Sequence, residues 1–154
     1  MADIIDIALS KKNNAHFYDI DFEGNGDFET VSGFETSLTM SLFTDKRVSE
    51  SEQSDPTRRR GWIGDELFAD TGFKHGSKLW LLDQARINFN TRNLAITYAN
   101  DALQWFIDDG YLKNIVTTAT ITSSNVTLNI NGVLLNNSKT SFSYELWQNT
   151  QGAF

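Results

Sequence analysis

The sequence predicts an α+β fold in which two main helices pack on a small, mainly antiparallel sheet. Three observations predict it. Apolar residues recur at helical spacing in two stretches, about 33–48 and 92–108. The C-terminal third alternates apolar residues with Ser, Thr and Asn, which is period-two strand chemistry with hydroxyls and amides on the outer face. The order is strand, helix, loop, helix and then a meander, which puts helices on one face of the sheet. The chain has 154 residues, a length that favours one domain over two and buries roughly 70% of the unfolded surface.

Each element has its own warrant. Residues 17–22 place Tyr18, Ile20 and Phe22 on one side and Asp19 and Asp21 on the other, a half-buried strand. Gly24-Asn25-Gly26-Asp27 is a turn. Ser32 followed by Glu35 is a capping-box pattern for a helix running to about Val48, with Phe34, Leu38 and Leu42 on one stripe and Phe43 beside it. Residues 49–60 form a polar loop holding the only proline. The Gly-rich, aromatic stretch 61–77 reads as an ordered loop, and 79–87 as a short helix. Thr91 is placed to cap a helix over 92–108 with a Leu94, Tyr98, Ala102, Phe106 stripe, flanked by Ala95, Ala99 and Leu103. Gly110 suits the left-handed position after it. Three strands follow, centred on Ile115–Ile121, on Val126, Leu128 and Ile130, and on Phe142, Tyr144 and Leu146. Ser123-Ser124-Asn125 is a hairpin connection.

Composition excludes several classes. There are no cysteines, so there are no disulfides and no thiolate metal sites, and the two histidines are too few to anchor a zinc centre without several carboxylates. A net charge of -7 argues against a general nucleic-acid binder, since phosphate binding draws on clustered positive charge. No apolar run approaches the roughly 20 residues that span a bilayer. Acids interrupt the N-terminal apolar residues and the basic pair comes after them, the reverse of a signal peptide. The expected setting is a cytoplasm, or a particle assembled in one, with no cofactor, no metal, no membrane and no nucleic acid as partner.

Motifs for catalysis are absent. There is no nucleophile elbow, no phosphate-cradling glycine loop, no zinc-protease helix and no calcium loop. Asp108 and Asp109 are adjacent acids at a helix end, where they oppose the dipole and point apart instead of facing one another as an acid–base pair. The readings of them are solvated acids beside a glycine cap, or acids met by a partner or by an internal arginine. Arg58-Arg59-Arg60 is the sharpest charge feature, and Trp62 follows it between two glycines. Arginine beside tryptophan is enriched at interface hot spots. A solvated loop is the alternative. If the arginines serve a partner, replacing all three should barely change melting.

Several segments together resemble one family. They are Gly33-Phe34-Glu35-Thr36 with Leu42–Arg47, then Arg59-Arg60-Gly61-Trp62-Ile63-Gly64-Asp65, then Gly76-Ser77-Lys78-Leu79-Trp80-Leu81-Leu82, then Tyr98–Gly110. The succession looks like the Mu-like branch of baseplate wedge proteins of contractile phage tails, of the sheath-initiator type. It covers roughly residues 3 to 130, and the second and third segments are its specific part. The resemblance implies a single wedge domain over 1–154, with 131–154 a family-atypical extension. It implies a structural subunit of the virion tail that joins the wedge around the tube and initiates the contractile sheath by β-strand addition. The implied partners are other wedge proteins, the sheath protein, and the tube or spike hub. The wider family is often labelled lysozyme-like, an activity that no acid pair here supports. Relatives outside the Mu-like branch carry Glu-Pro-Arg where this chain has Asp108-Asp109-Gly110. The expected interface residues are Arg58, Arg59, Arg60, Trp62, Asp65, Asp108, Asp109, Phe142, Tyr144 and Leu146. A glycan-binding or glycan-hydrolysing tail domain, using Trp62, Trp147 and nearby acids, is the competing expectation.

Overall fold

The computed structural model describes residues 5–11, 18–27, 30–67, 74–83, 85–122 and 125–148. The chain forms two compact units, Met1–Ser41 and Leu42–Phe154. The first holds two short antiparallel ribbons. Strand β1 (Ile5–Ile7) pairs with β4 (Thr30–Ser32), and β2 (Leu9–Lys11) pairs with β3 (Tyr18–Ile20). The turn after β3 forms as expected: the Gly26 N–H donates to the Glu23 carbonyl, and Asn25 Oδ1 accepts from the Asp27 N–H. The side chains of Ile20 and Phe22, expected to lie on a covered face, are exposed.

Helix α1 (Glu35–Phe43) starts and stops differently from the capping-box expectation. Ser32 is the last residue of β4, paired with Ile5, so it is not the cap. Gly33 then turns the chain at φ 100°, where a side chain would be strained. The helix ends at Phe43, short of Val48, because Ser77 captures its last carbonyls. The Ser77 hydroxyl donates to Leu42 O and its N–H to Thr44 O at 2.9 Å. Phe34, Leu38 and Leu42 are buried, as the stripe predicted.

The second unit is helix on sheet. Helix α3 (Phe89–Leu103) is capped by Asn88, whose side chain accepts from the Thr91 N–H at 2.9 Å. The expected cap, Thr91, instead sits buried inside the first turn and donates to the Arg86 carbonyl. Gln104 interrupts the helix only in name: its dihedrals, φ -57° and ψ -35°, are still helical, and α4 (Trp105–Asp108) continues the axis. Gly110 follows at φ 74°, the left-handed closure expected. The covered face of α3 is not the Leu94–Tyr98 stripe, since both side chains are half-buried. It runs instead through Thr91, Ala95, Ala99, Ala102 and Leu103 and ends at Phe106. Three alanines let the helix axis approach the sheet closely, and the large fully buried groups come from both layers, Leu103 and Phe106 from the helices and Val126, Leu128 and Ile130 from the central strand.

The sheet has the order β5-β6-β7, all antiparallel, with β5 Leu112–Ile121, β6 Asn125–Leu134 and β7 Lys139–Gln148. Val126, Leu128 and Ile130 of the central strand are fully buried. Phe142 stands opposite Ile130 and Tyr144 opposite Leu128, on the same covered face. On the outer face Ser143 Oγ donates to Asn129 Oδ1 at 2.9 Å and Ser141 to Asn131, a hydroxyl–amide ladder across β6 and β7. A bulge between Val126 and Thr127 leaves Leu146 as the extra residue of β7.

Candidate functional site

The Arg-Trp loop is built from the inside outward. A parallel bridge joins Asp45 to Ser77, closed by Lys46 N–H to Ser77 O at 2.9 Å. Gly76 makes this approach possible. It sits at φ 92°, and a Cβ there would lie 2.2 Å from the Thr44 carbonyl oxygen. Trp80 Nε1 donates to Lys46 O at 3.0 Å, and the Arg60 guanidinium lies 4.8 Å over the Trp80 ring. Arg60 Nη1 also reaches Asp45 Oδ2 at 3.0 Å and Asp83 Oδ2 at 3.5 Å. Arg59, with its side chain 18% exposed, donates to the carbonyls of Gln53 and Ser54 at 2.8 and 3.1 Å. Arg58 is different: its side chain is 77% exposed, and among the described residues its ion pair is with Asp55, at 3.5 Å. So Arg59 and Arg60 hold the loop to its own body, and Arg58 points outward.

Two acids of this loop, Glu52 and Asp55, are held ionised by donors. Lys78, then the N–H and hydroxyl of Ser49, pull Glu52 from its ordinary 4.5 down to about 2. The hydroxyl and N–H of Thr57 hold the Asp55 carboxyl below the usual range.

Trp62 is 42% exposed. Its ring lies against Gly64, where a Cβ would come within 2.1 Å of it, and meets His75 edge-on at 5.2 Å. Asp65 sits beneath with its side chain 6% exposed, accepting from the His75 N–H at 3.0 Å. Its second oxygen, Oδ2, is buried without a hydrogen-bond partner among the described residues. Ile63 and, in the short helix α2 (Gly64–Leu67) that follows it, Leu67 are strongly exposed.

The other expected residues lie elsewhere in the unit. Asp108 and Asp109 are exposed at the end of α4, with Asp108 Oδ1 accepting from Gln104 Nε2 at 2.9 Å. Among the described residues no basic side chain pairs with either. Tyr144 is buried edge-on against Phe43 at 5.6 Å, so it is a core residue. Phe142 and Leu146 are half-buried. The side chain of Trp147 and the hairpin residues Ser123 and Ser124 lie outside the described residues. No cluster of three or more His, Asp or Glu among the described residues could hold a metal ion. Among the described residues no helix is long and apolar enough to cross a membrane.

The sheet leaves two edges, β5 and β7. In an antiparallel ladder residues alternate between pairing with the neighbour and turning their backbone groups away. The Thr122 N–H to Asn125 O bond, 3.0 Å, sets the phase on β5. Val116, Thr118 and Thr120 pair with β6, and Ile115, Thr117, Ala119 and Ile121 turn outward. Arg92 Nε donating to the Ala119 carbonyl at 2.6 Å agrees with that phase. On the other side, Leu134 N–H to Ser138 O at 2.9 Å turns Ser141 and Ser143 outward on β7. A groove of 420 Å³ runs beside β5, lined by Asn114–Thr117 and by residues of α3 and α4. Arg92 and Thr117 were not singled out in the sequence. One is a lone arginine in a helix and the other a threonine in a strand, and neither has a local signal.

A family model described as "Phage protein GP46" matches residues 34–140, well over half of the chain. The chain is 42% identical over 100 residues to the protein named Mu-like prophage FluMu protein gp46 from Haemophilus influenzae, a match covering 59% of this chain and 67% of that protein. It is 36% identical over 91 residues to the protein named baseplate protein gp46 from Escherichia phage Mu, covering 58% of this chain and 61% of that one. The chain thus spans about two-thirds or less of the length of these curated relatives. The matched segment contains the Arg-Trp loop, helices α1, α2, α3 and α4 and strands β5 and β6.

Proposed function

The chain belongs to the phage protein GP46 family, and from that premise we propose that it is a structural, non-enzymatic subunit of a contractile-tail baseplate that joins the wedge and starts the sheath by accepting strands on its sheet edges. Its place is the virion tail, reached by assembly in the host cytoplasm. Its partners are other wedge proteins and the sheath protein, with the tube or spike hub adjacent.

One observation carries the reading. Three ten-residue strands form a sheet whose outer strands turn backbone N–H and C=O groups away from β6, through stretches without charge between Asn114 and Ile121 and between Thr140 and Tyr144. Free edges normally carry charge or proline to block association. An edge left open suits a component that is meant to be extended. Each added backbone bond contributes about 0.5–1.5 kcal/mol net. Several such bonds, repeated around a ring, attach a sheath layer firmly without a large apolar patch. Arg58, Trp62, Ile63 and Leu67 supply a separate outward surface suited to a wedge neighbour.

The test is proline placement at outward N–H groups, which spares the internal ladder. Ile115→Pro and Ser143→Pro, alone and combined, are introduced into tails lacking the native chain, and sheathed tails are counted by electron microscopy. The combined variant should fold, as judged by melting, and leave tubes without sheath. Normal sheath on that variant would replace strand addition with side-chain docking.

A further inference from the structure

We infer that the groove beside β5 is the seat of the incoming strand, and that Arg92 sets where its pairing stops; the inference rests on the strand-addition reading above. Four consecutive residues, Asn114 to Thr117, line the groove. Consecutive strand residues point to opposite faces, so a cavity touching all four runs alongside the strand edge and not across one face. The outward backbone groups of Ile115 and Thr117 therefore open into it. The opposite wall comes from Leu103 and Ile107 of α3 and α4.

Thr117 lines the groove with its side chain turned to the covered face and only 9% exposed, so it is its backbone that an edge strand would meet. The occupant is an extended segment of a partner protein. No residue lining the groove is charged, so the segment is uncharged where it passes Thr117, with an apolar side chain directed at Leu103 and Ile107.

Two residues further along, the ladder is already occupied. The Arg92 guanidinium, held 5.6 Å over the Phe89 ring, donates to the Ala119 carbonyl. It stands where the next donor of an added strand would come. A strand can pair at Ile115 and Thr117 but meets a taken acceptor at Ala119. Arg92 thus fixes the register of the guest as well as its length.

Hydrogen–deuterium exchange of the free full-length chain and of assembled tails tests both parts. The amides of Ile115 and Thr117 should slow by roughly tenfold or more in tails, while that of Ala119 should not. In Arg92→Ala tails, protection should extend to Ala119; melting of the free variant shows whether it folds, and Arg92→Lys, which removes Nε, serves as the second variant. Protection confined to Ser141 and Ser143 would overturn the β5 assignment and leave strand addition standing on β7. Protection at neither edge would overturn both. Protection of Ala119 in wild-type tails, or an unchanged limit in both Arg92 variants, would remove Arg92 as the stop.

Discussion

Arg59 and Arg60 should be braces of the fold, and single alanine substitutions separate them from Arg58. Arg59→Ala removes two charge-assisted bonds to the carbonyls of Gln53 and Ser54 from a side chain only 18% exposed. The loss should be about 1–2 kcal/mol. Arg60→Ala removes a half-exposed pair to Asp45 and Asp83 and the stacking on Trp80. Discounted for solvent, these sum to about 1 kcal/mol. Arg58→Ala removes one exposed contact and should change stability by less than about 0.5 kcal/mol. At roughly 2–4 °C per kcal/mol for a chain of this size, thermal melting followed by circular dichroism should show Arg58→Ala at the wild-type Tm. The other two should melt several degrees lower. A double-mutant cycle of Arg60→Ala with Asp45→Ala should return a coupling, because the two are in contact. If the triple alanine variant melts with the wild type, the loop is not internally braced and all three arginines are free for a partner.

Gly76→Ala should lower Tm more than any arginine change, since it combines a positive φ with a 2.2 Å approach to Thr44 O; melting at the wild-type temperature would mean that the Asp45–Ser77 bridge does not depend on it. The Glu52 carboxyl, held at about 2 by Lys78 and Ser49, is a depressed acid, so its contribution is present above its ordinary 4.5 and is lost as pH falls toward 2. Lys78→Met should flatten that part of the stability–pH curve, and an unchanged slope would remove the pair from the stability account. Purified protein should not hydrolyse peptidoglycan; lysis abolished by Asp108→Asn or Asp109→Asn would restore the glycan reading. Arg58→Ala with Trp62→Ala should stop tail assembly while moving melting by only about 1 kcal/mol, and normal tails would leave that surface without a partner.

The α+β class was legible because its signals are local. Val126, Leu128 and Ile130 alternate, and they are the buried side chains of the central strand. Phe34, Leu38 and Leu42 repeat at helical spacing and are buried too. What was not legible came from long-range contacts. Nothing near Val48 says that α1 stops at Phe43, because the cause is Ser77, 35 residues away from Leu42. Thr91 looked like a cap on composition, yet Asn88 three residues earlier takes that place and Thr91 turns its hydroxyl to Arg86. The Arg-Trp cluster was visible as a segment, but its division into two inward arginines and one outward depends on Asp45, Trp80 and Asp83, which the fold brings together. The groove beside β5 was invisible for the same reason, since it exists only where α3 and α4 meet a strand edge.

The hydroxyl–amide ladder on the outer face of the sheet has a consequence for the conditions under which the protein can work. Ser141, Ser143, Asn129 and Asn131 do not titrate and carry no net charge, so their contacts neither vary with pH nor weaken as the Debye length shortens. The Arg-Trp loop is the opposite, a lattice of partly exposed ion pairs that salt and acid both loosen. One chain therefore presents two surfaces with different sensitivities. A change of medium can slacken the loop's grip while the sheet keeps its hold.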